Sequence, residues 1–80
     1  MKIKLVAFGI ARDILGGSTS DILLSNGRTI DDLKKQLLAN HADFEKLSTL
    51  SFAVNEEYQS DDFVLNNEDE VALLPPYAGG

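Results

Sequence analysis

Apolar and polar residues alternate at the start of the chain, and this pattern predicts a first strand over Lys2 to Phe8. Because successive side chains of a strand point to opposite faces, it would present two sets: Ile3, Leu5 and Ala7 on one face, and Lys4, Val6 and Phe8 on the other. Further apolar runs predict strands over residues 21–24, 50–54 and 70–74, with a short one near Tyr58 after a turn. Pro75 would end the last strand, because proline has no backbone N–H for the ladder.

Two segments have the spacing of helices. A short helix is predicted over residues 10–15, with Gly16-Gly17 as its stop signal. The main helix is predicted to begin after Thr29, an N-cap with Asp32 as its capping-box partner, and to end near Asn40. Its apolar residues recur at helical spacing and predict one buried stripe: Ile30, Leu33, Leu37 and Leu38.

This order of elements predicts an α+β fold with the β-grasp arrangement. One main helix would cross one face of a mixed sheet of about five strands, with the first and last strands as central neighbours. A turn at Asn26-Gly27 precedes the helix, and the loop over residues 61–69 is expected to tuck Phe63 and Leu65 inward. Residues 1–74 would form the domain and residues 75–80 an extended C-terminal tail. The pattern alone also allows other small α+β folds.

The tail Pro75-Pro76-Tyr77-Ala78-Gly79-Gly80 is the most informative segment for function. The two prolines favour an extended geometry, and the two glycines leave the terminal carboxylate on a backbone that can enter a narrow channel. A carboxylate is a poor electrophile, so a partner enzyme would first have to activate it with ATP, for instance as an acyl-adenylate. Sulfide attack would then give a thiocarboxylate, and attack by a lysine amine would give an isopeptide bond.

Composition and charge argue against several other functions. The chain has 80 residues and no cysteine, which excludes disulfides and thiolate chemistry and suits a cytoplasmic location. His41 is the only histidine, and no metal-ligand pattern or phosphate-binding glycine loop is present, so the chain is expected to bind no metal or cofactor. A net charge of −6 argues against nucleic acid as a partner. The longest apolar run, Leu5 to Ala11, is too short to span a membrane.

Two surface features predict a protein partner. If the first set of strand residues faces the helix, Phe8 and Leu74 project from the other sheet face and form an apolar patch beside the tail. The charge is also uneven, because all seven basic residues lie at or before Lys46 and residues 47–80 contain seven acids. An acidic face around the tail could steer a basic partner, although the same acids would also serve solubility alone.

Three stretches of the chain resemble the MoaD family, the sulfur-carrier small subunits of molybdopterin synthase. Residues 8–16 are similar to the family pattern Phe-x-x-x-Arg-Glu-x-x-Gly, with Asp13 in place of the glutamate. Ala53-Val54-Asn55 followed by Tyr58 is similar to the family's Ala-Val-Asn turn. The closing pattern extends from Leu65 through Asp69-Glu70-Val71-Ala72 and the two prolines to the terminal glycines, and departs from the family at Glu68 and Tyr77.

The resemblance implies a ubiquitin-like β-grasp domain and a defined chemistry. A MoeB-like enzyme would adenylate Gly80 with ATP, and a sulfurtransferase or cysteine desulfurase would supply sulfur for its thiocarboxylate. The tail, with Gly79 and the stalk of Pro75, Pro76, Tyr77 and Ala78, would enter a MoaE-like large subunit. There the sulfur would pass to cyclic pyranopterin monophosphate to build the molybdopterin dithiolene. Phe8 and Leu74 match apolar interface positions, and the chain alone would not be an enzyme.

Three alternatives remain open from the sequence. A ThiS-like carrier of thiazole synthesis shares the fold and the terminal glycines, but is usually shorter and lacks the Pro-Pro stalk. A ubiquitin-like protein modifier would use the same activation to form isopeptide bonds. In a plain interaction domain, Gly79 and Gly80 would have no chemical role.

Overall fold

A computed structural model describes residues 1–46 and 50–74 of the chain. Its elements, in chain order, are β1 (Lys2–Ala7), α1 (Gly9–Leu15), β2 (Thr19–Leu23), α2 (Ile30–Asn40), a 3₁₀-helix (Ala42–Lys46), β3 (Ser51–Val54), β4 (Glu57–Gln59) and β5 (Glu70–Leu74). The five strands form one sheet in the order β2-β1-β5-β3-β4. β1 and β5 are parallel neighbours at its centre, and the other pairs are antiparallel. The predicted mixed five-strand β-grasp fold is confirmed.

Five element boundaries differ from those predicted, two of them because α1 begins at Gly9 rather than at residue 10 and β2 ends at Leu23 rather than at residue 24. β1 ends at Ala7, because Phe8 is the N-cap residue of α1. β2 begins at Thr19, two residues before the predicted start. It is an edge strand with mostly exposed side chains, so it needs few apolar residues and its start cannot be recognised from the hydrophobic pattern. β3 begins at Ser51 rather than at residue 50.

Helix α2 begins at the predicted capping box. The Thr29 side chain accepts a hydrogen bond from the Asp32 backbone N–H (3.2 Å), and the Asp32 carboxylate accepts from the backbone N–H of Thr29 (3.0 Å) and of Arg28 (2.9 Å). These bonds stabilise the charged carboxylate and lower the pKa of Asp32, the backbone and hydroxyl of Thr29 contributing most. The sequence signal therefore fixes the start of the main helix.

The core lies between α2 and one face of the sheet. Ile30, Leu33 and Leu37 of α2 are buried, as are the strand residues beneath them: Ile3, Leu5, Val71 and Leu73. Leu65 from the loop before β5 is also buried, and Phe63 packs against the same cluster, both as predicted. The inclusion of Leu38 in the buried stripe was wrong, since its side chain is 40% exposed. One residue adds about 100° of rotation, which takes Leu38 past the edge of the stripe that ends at Leu37.

Changing Leu33 to Ala tests this packing. Leu33 is fully buried beneath the sheet, so its truncation should lower the free energy of unfolding by about 2–5 kcal/mol through lost contacts and a residual cavity. The measurement is urea denaturation followed by circular dichroism. Leu38→Ala is the matched control in the same helix and should change the urea midpoint little. Equal midpoints for Leu33→Ala and the unmodified protein would contradict the core assignment.

Gly27 is required by the cap of α2. Its φ is +82°, and a Cβ built on it would overlap the Asp32 carboxylate that caps the helix. Gly27→Ala should therefore destabilise the fold by about 1–2 kcal/mol, the cost of a left-handed backbone for a residue with a side chain. Gly17→Ala is the control, because its new Cβ would meet only the Thr19 carbonyl oxygen at 3.8 Å. Similar thermal midpoints for the two variants would show that Gly27 has no such role.

Candidate functional site

The predicted reactive end of the chain lies outside the described residues. This applies to every tail position singled out from the sequence: Pro75, Pro76, Tyr77, Ala78, Gly79 and Gly80. The structure does describe where the tail begins. Leu74, the last residue of β5, pairs with Ser51 of β3, and the preceding Leu73 pairs with Ala7 of β1. The tail therefore begins at the end of a central strand that has neighbours on both sides.

The sheet has a second face, which points away from α2, and we call it the open face. Strand register places one row of its residues across all five strands: Thr19, Val6, Ala72, Ala53 and Tyr58. Val6 and Ala72 are half-buried, whereas their sequence neighbours Leu5 and Val71 are buried beneath α2. The middle of this row is apolar, and Tyr58 at one end is 73% exposed.

Phe8 and Leu74 lie on the open face beside the beginning of the tail. Leu74 is half-buried, and the Phe8 side chain is 49% exposed. Phe8 keeps extended backbone angles, so the alternation of β1 continues through it, and its carbonyl oxygen accepts hydrogen bonds from Ala11 (3.1 Å) and Arg12 (3.4 Å). The structure thus brings together the two residues singled out from the sequence. We call Val6, Phe8, Ala72 and Leu74 the apolar patch.

Ile10 is a candidate that the sequence analysis missed. It lies in the first turn of α1, two residues after Phe8, and its side chain is 55% exposed while the adjacent Ala11 is buried. In so short a helix the apolar pattern does not separate inward from outward positions. An exposed isoleucine beside an exposed phenylalanine extends the apolar surface near the tail.

The half of the open face that lies farther from the beginning of the tail carries charged residues. Lys4 of β1 is directly opposite Asp21 of β2 on one side and Glu70 of β5 on the other. Lys2 lies 3.7 Å from the Asp21 carboxylate, measured from Nζ to Oδ2. The apolar patch is therefore bounded by charged residues on the side away from the tail.

The acids directly before β5 do not contribute to the predicted acidic face around the tail, which otherwise stays a prediction. β5 runs from Glu70 to Leu74, so its acidic end and the beginning of the tail lie at opposite ends of the sheet. Asp69 is held at the acidic end, where its carboxylate accepts hydrogen bonds from the Asn55 side chain (3.1 Å) and the Asn66 backbone (2.8 Å). Any steering by these acids would therefore act on the end of the domain away from Leu74.

Two other features, a metal-binding cluster and a membrane-spanning helix, are absent from the part of the chain that the structure describes. Over residues 1–46 and 50–74, no cluster of three or more histidine and acidic side chains is arranged to hold a metal ion. Within the same residues, neither α-helix has the length and apolar character required to cross a membrane. The apolar patch and the tail that follows Leu74 therefore form the candidate functional site.

Comparison with known sequences gives matches over nearly the whole chain. A sequence model of the ThiS family matches residues 5–80. The molybdopterin synthase sulfur carrier subunit of Chlamydomonas reinhardtii is 35% identical over 83 residues, an alignment that covers 100% of both chains. The match to the ThiS family therefore includes both the described domain and the terminal glycines.

Solved structures share the same architecture. A putative molybdopterin converting factor subunit 1 from Pyrococcus furiosus superimposes with a TM-score of 0.85 at 27% identity, covering 96% of this chain and 99% of that one. Two more distant structures show likeness in fold alone. SAMP1 from Haloferax volcanii has a TM-score of 0.82 at 20% identity, with both chains fully covered. A chain in a complex of subunits 1 and 2 of the molybdopterin-converting factor from Helicobacter pylori has a TM-score of 0.68 at 23% identity, also with both fully covered.

Proposed function

The chain belongs to the ThiS family, and from that premise we propose that it is the sulfur-carrier subunit of a molybdopterin synthase. The observation that supports this most is the full-length correspondence, at 35% identity, with a protein named as such a subunit. The terminal Gly79-Gly80 pair supplies the carboxylate that the chemistry needs. The chain would act as a sulfur donor within the synthase, in the cytoplasm, without being an enzyme on its own.

The first step would activate the carboxylate of Gly80. A MoeB-like enzyme would bind ATP, and the carboxylate oxygen would attack the α-phosphate to give an acyl-adenylate and pyrophosphate. Sulfide, released by a thiol reductant from a sulfurtransferase or cysteine desulfurase, would then attack the carbonyl carbon and displace AMP. The product is a thiocarboxylate on Gly80. The chain would need no cofactor of its own, since the partner binds the nucleotide.

The second step would deliver that sulfur to the substrate. The six tail residues extend at most about 20 Å, enough to carry the thiocarboxylate from the end of β5 into a neighbouring protein. In a MoaE-like large subunit the sulfur would pass to cyclic pyranopterin monophosphate and become part of the dithiolene. Water would then hydrolyse the bond between the Gly80 carbonyl carbon and the transferred sulfur, which returns Gly80 to the carboxylate form, ready for another round of activation.

The domain would position the tail for both steps. β5 lies between β1 and β3, so the tail begins at a point held by backbone pairing on both sides. The apolar patch beside it would dock against the large subunit, with Phe8 and Leu74 between the rest of the patch and the tail. A buried apolar contact next to a short tail limits the volume that the terminal carboxyl can reach, which favours alignment with the reacting atoms.

A function as a protein modifier is the second candidate, because SAMP1, a small archaeal modifier protein, has the same fold. The two functions share activation and differ in the nucleophile. Incubation with a MoeB-like enzyme, ATP and a sulfur source, followed by intact-mass measurement, separates them. A mass gain equal to the exchange of one oxygen for sulfur supports the carrier. A ladder of conjugates supports the modifier, and an unchanged mass contradicts both.

A further inference from the structure

The loop between β2 and α2 contains an Asn26-Gly27 pair that the proposed sulfur chemistry does not use. Both residues are exposed. The loop is held on either side of the pair, because Ser25 N–H donates to the Gln36 side chain and Arg28 N–H donates to Asp32, both at 2.9 Å. Among the described residues, nothing forms a hydrogen bond with the Asn26 carboxamide or the Gly27 backbone N–H.

We propose that Asn26 is a site of spontaneous deamidation that converts it to isoaspartate and aspartate. The Gly27 backbone nitrogen loses its proton to water and attacks Cγ of Asn26. A bond forms between that nitrogen and Cγ, the Cγ–Nδ2 bond breaks, and the amide leaves as ammonia. Water then opens the resulting five-membered succinimide at either carbonyl carbon. Gly27 favours the attack because it has no side chain beside the nitrogen.

The structure predicts which product is harmful. Isoaspartate adds one methylene to the main chain between residues 26 and 27, directly before the cap of α2. Gly27 lies against the Asp32 carboxylate, which accepts from the N–H groups of Arg28 and Thr29. Lengthening the main chain there should displace these donors. Loss of an N-cap in a domain of this size lowers the thermal midpoint by about 4–8 °C.

Trypsin gives a direct test on the full chain. Cleavage after Arg12 and Arg28 releases a peptide of residues 13–28, in which Asn26 is the only asparagine and glutamine is absent. After incubation of the folded protein at mildly alkaline pH, this peptide should gain the mass difference between NH2 and OH, with isoaspartate as the main product. Asn26→Gln should lose the signal. No gain in this peptide, or a faster gain at Asn40 or Asn66, would overturn the proposal.

Thermal melting of the separated forms tests the structural consequence. The isoaspartate form should melt about 4–8 °C below the fresh protein. Asn26→Asp, which has the charge of the other product on an unaltered main chain, should melt close to the fresh protein. Equal midpoints for the isoaspartate form and Asn26→Asp would overturn the link to the cap. These measurements involve neither partners nor Gly80 chemistry, so their outcome is independent of the proposed function.

Discussion

Deletion of Gly80 should abolish sulfur transfer while leaving the domain folded. The deletion moves the terminal carboxyl back by one residue, or about 3.5 Å. Misplacement of reacting groups by about 1 Å can already lower a rate about 100-fold. The buried core is built from residues between Ile3 and Leu73, so the deletion removes none of them. The measurement is dithiolene formation with purified large subunit, activating enzyme and sulfur source.

A chain lengthened by one glycine is the matched variant for this deletion. It keeps the tail free of side chains and moves the carboxyl in the other direction, so it should fail to the same extent. Unchanged thermal midpoints would establish that both variants are folded. Wild-type dithiolene formation by either variant would show that the position of the terminal carboxyl does not control the reaction.

Replacing Phe8 or Leu74 with Asp should weaken binding to the large subunit. Each change places a charge in the apolar patch, where docking would remove it from water. Truncation of a central interface residue commonly costs on the order of 2 kcal/mol, equivalent to about a 30-fold rise in Kd. Isothermal titration calorimetry with the purified large subunit measures the effect.

Val64→Asp is the control for these two substitutions. Val64 is 52% exposed, close to the 49% of Phe8, but it lies in the loop that bridges to Thr29 at the start of α2. Its substitution should leave the Kd unchanged. If Phe8→Asp and Leu74→Asp bound as tightly as Val64→Asp, the patch would not be the docking surface.

The parts of the fold that were predictable have strong local signals. The capping box at Thr29, the alternation in β1 and the proline after β5 each reflect backbone chemistry within a few residues. The order of the elements predicted the central pairing of β1 with β5. With one main helix, the simplest packing lays that helix across one face of a mixed sheet in which the first and last strands are neighbours. These signals were enough to place Phe8 and Leu74 on the same side of the sheet.

Features that depend on tertiary context were missed. The start of the exposed edge strand β2 at Thr19 and the 3₁₀-helix containing the buried Phe44 have weak patterns of their own. The exposure of Ile10 depends on how a two-turn helix sits at the end of the sheet. The acids before β5 are close to Leu74 in sequence, yet the direction of the strand carries them to the other end. These positions depend on the register and direction of the strands, which cannot be read from the composition of the sequence.

A single-turnover reaction tests the central proposal most directly. The chain is first converted to its Gly80 thiocarboxylate and freed of the activating enzyme, ATP and every other sulfur source. It is then mixed with the purified large subunit and cyclic pyranopterin monophosphate. We expect dithiolene to form in proportion to the thiocarboxylate consumed, with the mass of the chain returning to that of the carboxylate. Thiocarboxylate that persists while no dithiolene forms would contradict the assignment of this chain as the sulfur donor.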